Sequence, residues 1–486
     1  MTSATARRSS QPIADDELDG LFWRLGSQPL ALAVSGGADS TALMHLVARW
    51  ARRPDVVARY RESWLGLTVR TVQTVAGDAE RGAPEVDWSG LARPGWLPDP
   101  VTVESLRAAG GTPHVVVLTV DHGLRKTSAS DAAFVAQEAA KLGLGCTVLR
   151  WDGEKPATGI QEAARHARRD LMLDVLRAER GIVEAAFRRQ GLNSSLDRTL
   201  VMAHHQEDQA ETVLMRLMRG SGLEGLGGMR ARDNATRSAD LQRPQRFEAE
   251  VVRPLLDLPK ARLVATLEAH GVSWLEDPSN EDHRFERVRV RKALATLGDV
   301  GLSAEKIALS ARRLRDAEQA LQTIGARDGE GLGDARNPCY PHMGDVALLL
   351  RWTPYLLVRT LRGLIRIYGG GARPAELSQI EKLAERMYLA EAAIEFSGAT
   401  LGGCKFELSD CEDGTHLLDW RLRIRVFREG AGQGLPVAPI RPGQTVEWDG
   451  GRFTITATPD APPGCVVRAL GVRGWADLKR RVPALE

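Results

Sequence analysis

The chain has 486 residues but only five cysteines, Cys146, Cys339, Cys404, Cys411 and Cys465, scattered and odd in number, with no Cys-x-x-Cys. That excludes a disulfide framework, a zinc ribbon and an iron–sulfur site. Cys404 and Cys411, the nearest pair, are expected as small buried hydrophobes. Net charge is also small: 65 Lys and Arg against 63 Asp and Glu leave +2. Nucleic-acid binding would therefore need local basic patches rather than a global field. No apolar run is long enough to span a membrane. The opening MTSATARRSSQPIADDELDG lacks the apolar centre of a signal peptide. The expected setting is the reducing cytoplasm, with no membrane partner. No internal repeat is apparent. With 43% hydrophobic and 26% charged residues, the chain reads as soluble and globular, with room for two to four domains.

The most informative stretch is LALAVSGGADSTAL, residues 30–43. Leu30 to Val34 read as a short buried strand, and Thr41 to Val47 as a helix leaving the loop. A strand, a glycine loop and a helix N-terminus make an anion site. The unpaired N–H groups of the first turn and the positive end of the helix dipole face the loop. Gly36 and Gly37 allow close backbone approach to a phosphate. Asp39 adds a carboxylate for a metal, and Ser40 a hydroxyl. A P-loop is excluded, because no Gly-Lys-Ser/Thr follows. Ser35, Gly36, Gly37, Ala38, Asp39 and Ser40 instead resemble the pyrophosphate loop (PP-loop) of the N-type ATP pyrophosphatases, which split ATP into AMP and pyrophosphate. A plain serine- and glycine-rich turn would match these fixed residues in on the order of one chain in a thousand, so the nucleotide reading is preferred.

Further strands are expected at 114–120, 146–151, 199–204 and 250–256. Helices should lie between them, including one from Gln161 to Arg180 and one from Glu207 to Met218. Alternation of this kind predicts an α/β fold built on a doubly wound parallel sheet. It is followed by a helical domain and a small β-rich C-terminal domain. The expected boundaries are a tail and helix at 1–26, a catalytic domain at 27–284 with insertions near 52–112 and 181–197, a helical domain at 285–398 and a β-rich domain at 399–486. The last domain is expected to be shortened. In doubly wound sheets ligands lie beyond the carboxyl ends of the strands. Three motifs fall there: Ser35 to Ser40, Asp121 to Arg125, and His204 to Asp208.

In AHHQEDQAET, residues 203–212, Glu207, Asp208 and Glu211 crowd the start of a helix. Carboxylates there also suit the dipole with no further role. His204 and His205 could be core or surface residues. No third ligand with metalloprotease spacing supports zinc. Beside a phosphate loop, the carboxylates suit magnesium or a substrate ammonium better.

SGGADS, VDHGLR (120–125), IQEAARHARRD (160–170), AHHQEDQAET and LEDPSN (275–280) follow one another in this order. Together they resemble the tRNA(Ile)-lysidine synthase family over most of residues 30–295. The later helical and β-rich parts are similar to the longer form of that family. The resemblance implies ATP and Mg2+ as cofactors, with ATP on Ser35 to Ser40 and the metal on Asp39. It implies adenylation of O2 of the wobble cytidine in a CAU-anticodon tRNA(Ile), then attack on carbon 2 by the ε-amino group of free lysine. Asp208 and Glu211, with His205 as candidate base, would surround the lysine and the adenylation chemistry. Asp121, His122, Arg125, Arg165, Arg168, Arg287 and Arg289 would bind substrate. Both later domains would bind tRNA, and a homodimer is allowed. The chain departs from the family pattern at Glu207, where Asp is frequent, at Arg169, where an aromatic is frequent, and at Val288, where Asn is common. The 52–112 insertion is longer than the resemblance leads one to expect.

Basic clusters at Arg284, Arg287, Arg289, Arg291 and Lys292, and at Arg473, Lys479, Arg480 and Arg481, supply candidate phosphate contacts. Trp274 and Phe285 could stack on bases but are expected in the core. Two other readings stay open. A different adenylating enzyme of this loop class, such as a thiolase, should show paired cysteines near the cleft; an amidotransferase should show an N-terminal Cys. A noncatalytic tRNA-binding protein would have no need of the intact loop and carboxylates.

Overall fold

The computed structural model describes residues 10–25, 29–59, 115–152, 155–156, 158–189, 199–235, 249–276, 286–328, 342–345, 354–369, 375–389, 396–410, 422–428, 437–448, 453–468 and 480. The chain divides into two compact units, 1–238 with 247–318, and 239–246 with 319–486. Helices over 286–318 thus belong with the sheet. Most of the 52–112 segment, and all of the second basic cluster except Arg480, lie outside the described residues. Among the described residues no helix is long and apolar enough to cross a membrane.

In the first unit, α1 (Leu18–Phe22) leads into β1 (Leu30–Ala33) and α2 (Ala38–Ala51). There follow β2 (Val115–Asp121), α3 (Ser128–Lys141), β3 (Gly145–Arg150), α4 (Ile160–Arg189), β4 (Thr199–Met202) and α5 (Gln206–Met218). Then come a single turn α6 (Leu223–Leu226), β5 (Arg232–Ala235), β6 (Ala249–Val252), α7 (Lys260–Ala269), α8 (Glu286–Asp299) and α9 (Ala304–Asp328), which belongs to this unit as far as Glu318. The strand order is β3-β2-β1-β4-β6-β5. All pairs are parallel except β5 with β6. The expected doubly wound sheet is therefore present. Two details differ. Helix α4 runs on to Arg189, into the segment read as an insertion. Strand β5, sequence Arg-Asp-Asn-Ala, is a polar edge strand with no apolar signature to announce it.

Alternation along the strands loads both sheet faces. One face buries Leu30, Leu32, Val117, Val201 and Val252 against α1, α2, α3 and α7, through Phe22, Leu43, Val135 and Leu263. The other buries Ala31, Leu118, Leu200 and Val251 against Met172, Leu173 and Leu176 of α4. Each such leucine contributes about 1.5–3 kcal/mol. The strands, apolar on both faces, must stay central, and polar residues are forced to the strand ends. Strand β1 lies between β2 and β4, so the winding direction reverses there. That reversal opens a crevice at the carboxyl ends of β1 and β4.

In the second unit, α10 (Pro354–Tyr368) and α11 (Leu377–Leu389) pack beside an antiparallel sheet of order β7-β10-β9-β8. Its strands are β7 (His342–Asp345), β8 (Ala399–Leu401), β9 (Cys404–Asp410) and β10 (Leu422–Arg428). Leu357, Leu361, Ile380, Phe406 and Val426 form its core. Cys404 is fully buried among them, as expected of a small hydrophobe. Helix α10 ends at Tyr368 and α11 starts at Leu377, so the expected break falls between them, with Gly370 and Gly371 outside the described residues. Two further pairs, β11 (Ala438–Pro439) with β14 (Val466–Val467) and β12 (Thr445–Trp448) with β13 (Phe453–Thr456), complete the β-rich end.

Candidate active site

The loop from Ser35 to Ser40 is tied by its own side chains. The Ser35 N–H donates to Ser40 Oγ at 3.1 Å, and that hydroxyl donates to the Gly37 carbonyl at 3.1 Å. Thr41 Oγ1 donates to the Gly36 carbonyl at 3.1 Å, which also accepts the Leu275 N–H at 2.9 Å. Gly36 has φ +87°, a left-handed conformation that favours glycine. Gly37 is extended at the N-cap, and α2 begins at Ala38. The first-turn N–H groups thus open onto the end of β1.

Asp39, in that first turn, faces charges from two other strand ends. Its Oδ2 lies 3.4 Å from His205 Nε2 and 3.3 Å from Lys260 Nζ. Its Oδ1 is buried without a partner. His205 caps α5. Its backbone N–H donates to Asp208 Oδ2 at 3.2 Å, its Nδ1 meets Glu207 Oε2 at 2.9 Å, and its Nε2 lies 3.4 Å from Asp208 Oδ2. Burial would push the ring's pKa down. The hydrogen bonds to Asp39 and Glu207 and the charges of Asp208 and Asp39 outweigh burial and lift it to about 10. The candidate base of the sequence reading thus lies within 3.4 Å of three carboxylates, Asp39, Glu207 and Asp208. Burial would also raise Asp39, but the bond and charge from His205 and the Lys260 charge hold it below the usual carboxylate range.

Asp208 and Glu211 are brought together, but not as an open lysine site. Glu211 is fully buried, accepting from Arg287 Nε at 2.6 Å on one oxygen and Arg291 Nε at 2.7 Å on the other. Arg287 Nη2 also donates to Asp208 Oδ1 at 3.1 Å. Glu211 therefore positions α8 rather than waiting for an ammonium, and Arg287 is an internal ion-pair partner rather than a free phosphate contact. Arg287 and Arg291 share a helix face at i, i+4. Arg289 is exposed and two residues round the helix, away from that face. Val288, at the position where Asn is frequent, is buried.

Arg168 and Arg165 diverge. Arg168 donates through Nε to His122 Nε2 at 3.2 Å. Burial, then the Arg168 charge, push His122 down to about 4. Arg165 lies within the field of Arg287, Asp208 and Glu211, and burial and Arg287 lower its pKa. Asp121 Oδ1 accepts the Gly123 N–H at 2.9 Å in a local turn, and Arg125 is exposed near Asp131. Trp274 packs against the core as expected, and Phe285 lies outside the described residues.

The sequence reading missed Lys260, Glu207 as a structural partner, and Arg253. Lys260 carries a signal in hindsight: a cation in the first turn of a helix opposes the dipole and needs a compensating partner. Glu207 supplies one bond, accepting the Lys260 backbone N–H at 2.9 Å, and Asp39 supplies the other.

The orphaned Asp39 oxygen bears on magnesium. Among the described residues, no group of three or more His, Cys, Asp or Glu could hold a metal ion alone. Mg2+ usually takes one or two carboxylates and completes its shell with substrate phosphates and water. One buried, unpartnered carboxylate oxygen beside a phosphate loop fits that mode.

Comparison with known proteins agrees with this geometry. A family model described as a PP-loop domain matches residues 101–297. A tRNA(Ile)-lysidine synthase of Methylobacterium nodulans is 41% identical over 308 residues, 61% of this chain and 80% of the relative. One from a Bradyrhizobium species is 33% identical, covering 81% of this chain and 88% of the relative. One from Ruegeria pomeroyi is 31% identical, covering 97% and 88%. With a phosphate loop at the switch point and relatives matched over most of both chains, this chain belongs to the tRNA(Ile)-lysidine synthase family.

Proposed function

We propose that this enzyme joins lysine to carbon 2 of the wobble cytidine of a CAU-anticodon tRNA(Ile), at the expense of ATP. The observation that carries the reading is the bonded loop Ser35 to Ser40 with the unpartnered Asp39 oxygen at the β1–β4 switch point. In the first step cytidine O2 attacks the α-phosphorus of ATP, and the bond to the bridging oxygen breaks to release pyrophosphate. Donors aimed at the developing phosphate charge lower this barrier. The loop and the α2 N-terminus face that position, and Lys260 adds a cation. Mg2+, held by Asp39 and phosphate oxygens, would neutralise charge on the departing pyrophosphate. In the second step the lysine ε-nitrogen attacks carbon 2, the C2–O bond breaks, and AMP leaves. The ammonium must pass a proton to the carboxylate that holds it or to water before attack.

His205, with Nε2 3.4 Å from Asp39 Oδ2, is placed to position that carboxylate. Asp208 is the carboxylate we assign to the lysine ammonium: both carboxylates are bonded, but the Asp208 side chain keeps 17% exposure and that of Glu211 has none. The helical and β-rich second unit, and exposed Arg289, are proposed to engage the tRNA. The test is AMP release from ATP with a CAU-anticodon tRNA(Ile) transcript and lysine. Release should need both, and changing the wobble C to U should abolish it. Turnover without tRNA or lysine, or equal turnover on the U transcript, would reject the proposal.

A further inference from the structure

Residues 11–17 take no regular structure before α1 begins at Leu18, yet they are bonded to two helices of the first unit. Such a segment is ordered only by what ties it down. Ile13, 1% exposed, lies in the same apolar core as Leu46 and Trp50 of α2 and Leu263 and Leu267 of α7. Its N–H donates to Thr266 Oγ1 of α7 at 2.9 Å. Asp15 holds the other helix: its carboxylate pairs with Arg49 of α2, and its carbonyl accepts from Arg53 Nη1, just past the end of α2, at 3.0 Å. The closest grip is on Arg262 of α7. Its Nη1 and Nη2 donate to the two Glu17 oxygens at 3.0 and 2.6 Å, and its Nε donates to the Gln11 carbonyl at 3.0 Å. A bidentate pair of this kind fixes geometry as well as adding energy.

The first turns of the same two helices meet at the site, where Lys260 Nζ donates to Asp39 Oδ2 at 3.3 Å. The first turn of α7 has no acidic residue of its own, and Lys260 and Arg262 both stand there against the helix dipole. Two residues apart, they point about 200° from one another round the helix. The start of α7 is therefore gripped from opposite sides by carboxylates from elsewhere, Asp39 of the loop and Glu17 of the segment before α1. Close-packed helices shift as bodies and transmit strain rather than absorb it. We infer that residues 11–17 are a strap that sets Lys260 against Asp39, with Glu17 and Arg262 as positioning residues for the triphosphate; this rests on the nucleotide role proposed above for the loop. With the strap in place the ammonium stands ready before the phosphates arrive, and a charge already in position costs no rearrangement when it is used.

The test uses the full chain with Mg2+ and α,β-methylene-ATP, an analogue that cannot be split to AMP, and reads affinity by calorimetry without tRNA or lysine. Arg262→Met cuts the strap bonds and keeps an apolar stem. It should weaken binding about tenfold, within the range of couplings inside one bonded network. In a Lys260→Met background the same change should cost less than about twofold, because no ammonium is left to misplace. Equal losses in the two backgrounds would overturn the strap, since the effect would then not pass through Lys260. Wild-type affinity in folded Arg262→Met would overturn it too. If Arg262→Met does not fold, Glu17→Gln, on the more exposed side of the pair, takes its place in the same cycle. An enzyme that binds the analogue but releases no AMP from ATP would reject the proposed reaction, and the cycle would still judge the strap. A wild type that binds no analogue would overturn the nucleotide loop and the strap together.

Discussion

Two carboxylates at this crevice, Asp39 and Glu211, look alike in sequence and are opposite in structure. Glu211 is fully buried with both oxygens taken by arginines of α8. Asp39 is partly open, bonded on one oxygen and unmet on the other. A saturated carboxylate holds a scaffold, whereas one with a free lone pair is open to a ligand. Residue type and proximity made both candidates for chemistry, and the satisfaction of their oxygens separates them.

Glu211→Gln should give the largest change. It leaves Arg287 and Arg291 beside a neutral amide in place of their buried counter-charge. Removing one partner of a buried ion pair costs about 3–5 kcal/mol. The urea midpoint should fall accordingly, and a loss under about 1 kcal/mol would show that Glu211 does not hold α8. Asp39→Asn should do the reverse. His205 keeps Glu207 and Asp208 as counter-charges, so the melting temperature should move little. AMP release should fall by about 10²–10³, the usual cost of losing a group that stabilises transition-state charge. A folded Asp39→Asn enzyme with near-normal turnover would erase the distinction between the two carboxylates.

The sheet was legible because its inner strands are apolar runs set between amphipathic helices, and a run such as Leu30 to Val34 has one stable place to go. The loop was legible because Gly36 needs a left-handed backbone and serine bonds that few other sequences supply. Strand β5 was not legible: Arg232 to Asn234 lie exposed on an edge, held by pairing with β6 rather than by burial. The arginines of α8 read as a phosphate patch because a charge run carries no record of its partner. Their i, i+4 spacing did carry one, separating Arg287 and Arg291 from Arg289, but it acquires meaning only once Glu211 lies opposite. The surroundings of His205 were hidden for the same reason. Its role depends on Asp39, far away in sequence, and on Glu207 and Asp208 close by, all at once.

The smallest expected effect, and the sharpest test of the Asp39 cluster, is the pH dependence of stability. His205 has a folded value of about 10, above its ordinary 6.5. Its contribution is therefore complete below pH 6.5 and lost as pH rises from there toward 10. Asp39, Glu207 and Asp208 are held below their ordinary values, burial being outweighed in each case by His205 and other nearby donors and cations. Their contribution is present above about pH 4.5 and lost as pH falls through the lowered folded values. Between these limits the cluster is at full strength. Urea unfolding at pH 6 and pH 9 should show the wild type losing stability at the higher value. In His205→Gln that loss should shrink, since the variant has no imidazolium to discharge. Equal losses in the two proteins would mean that His205 is not held as a cation by its three carboxylates.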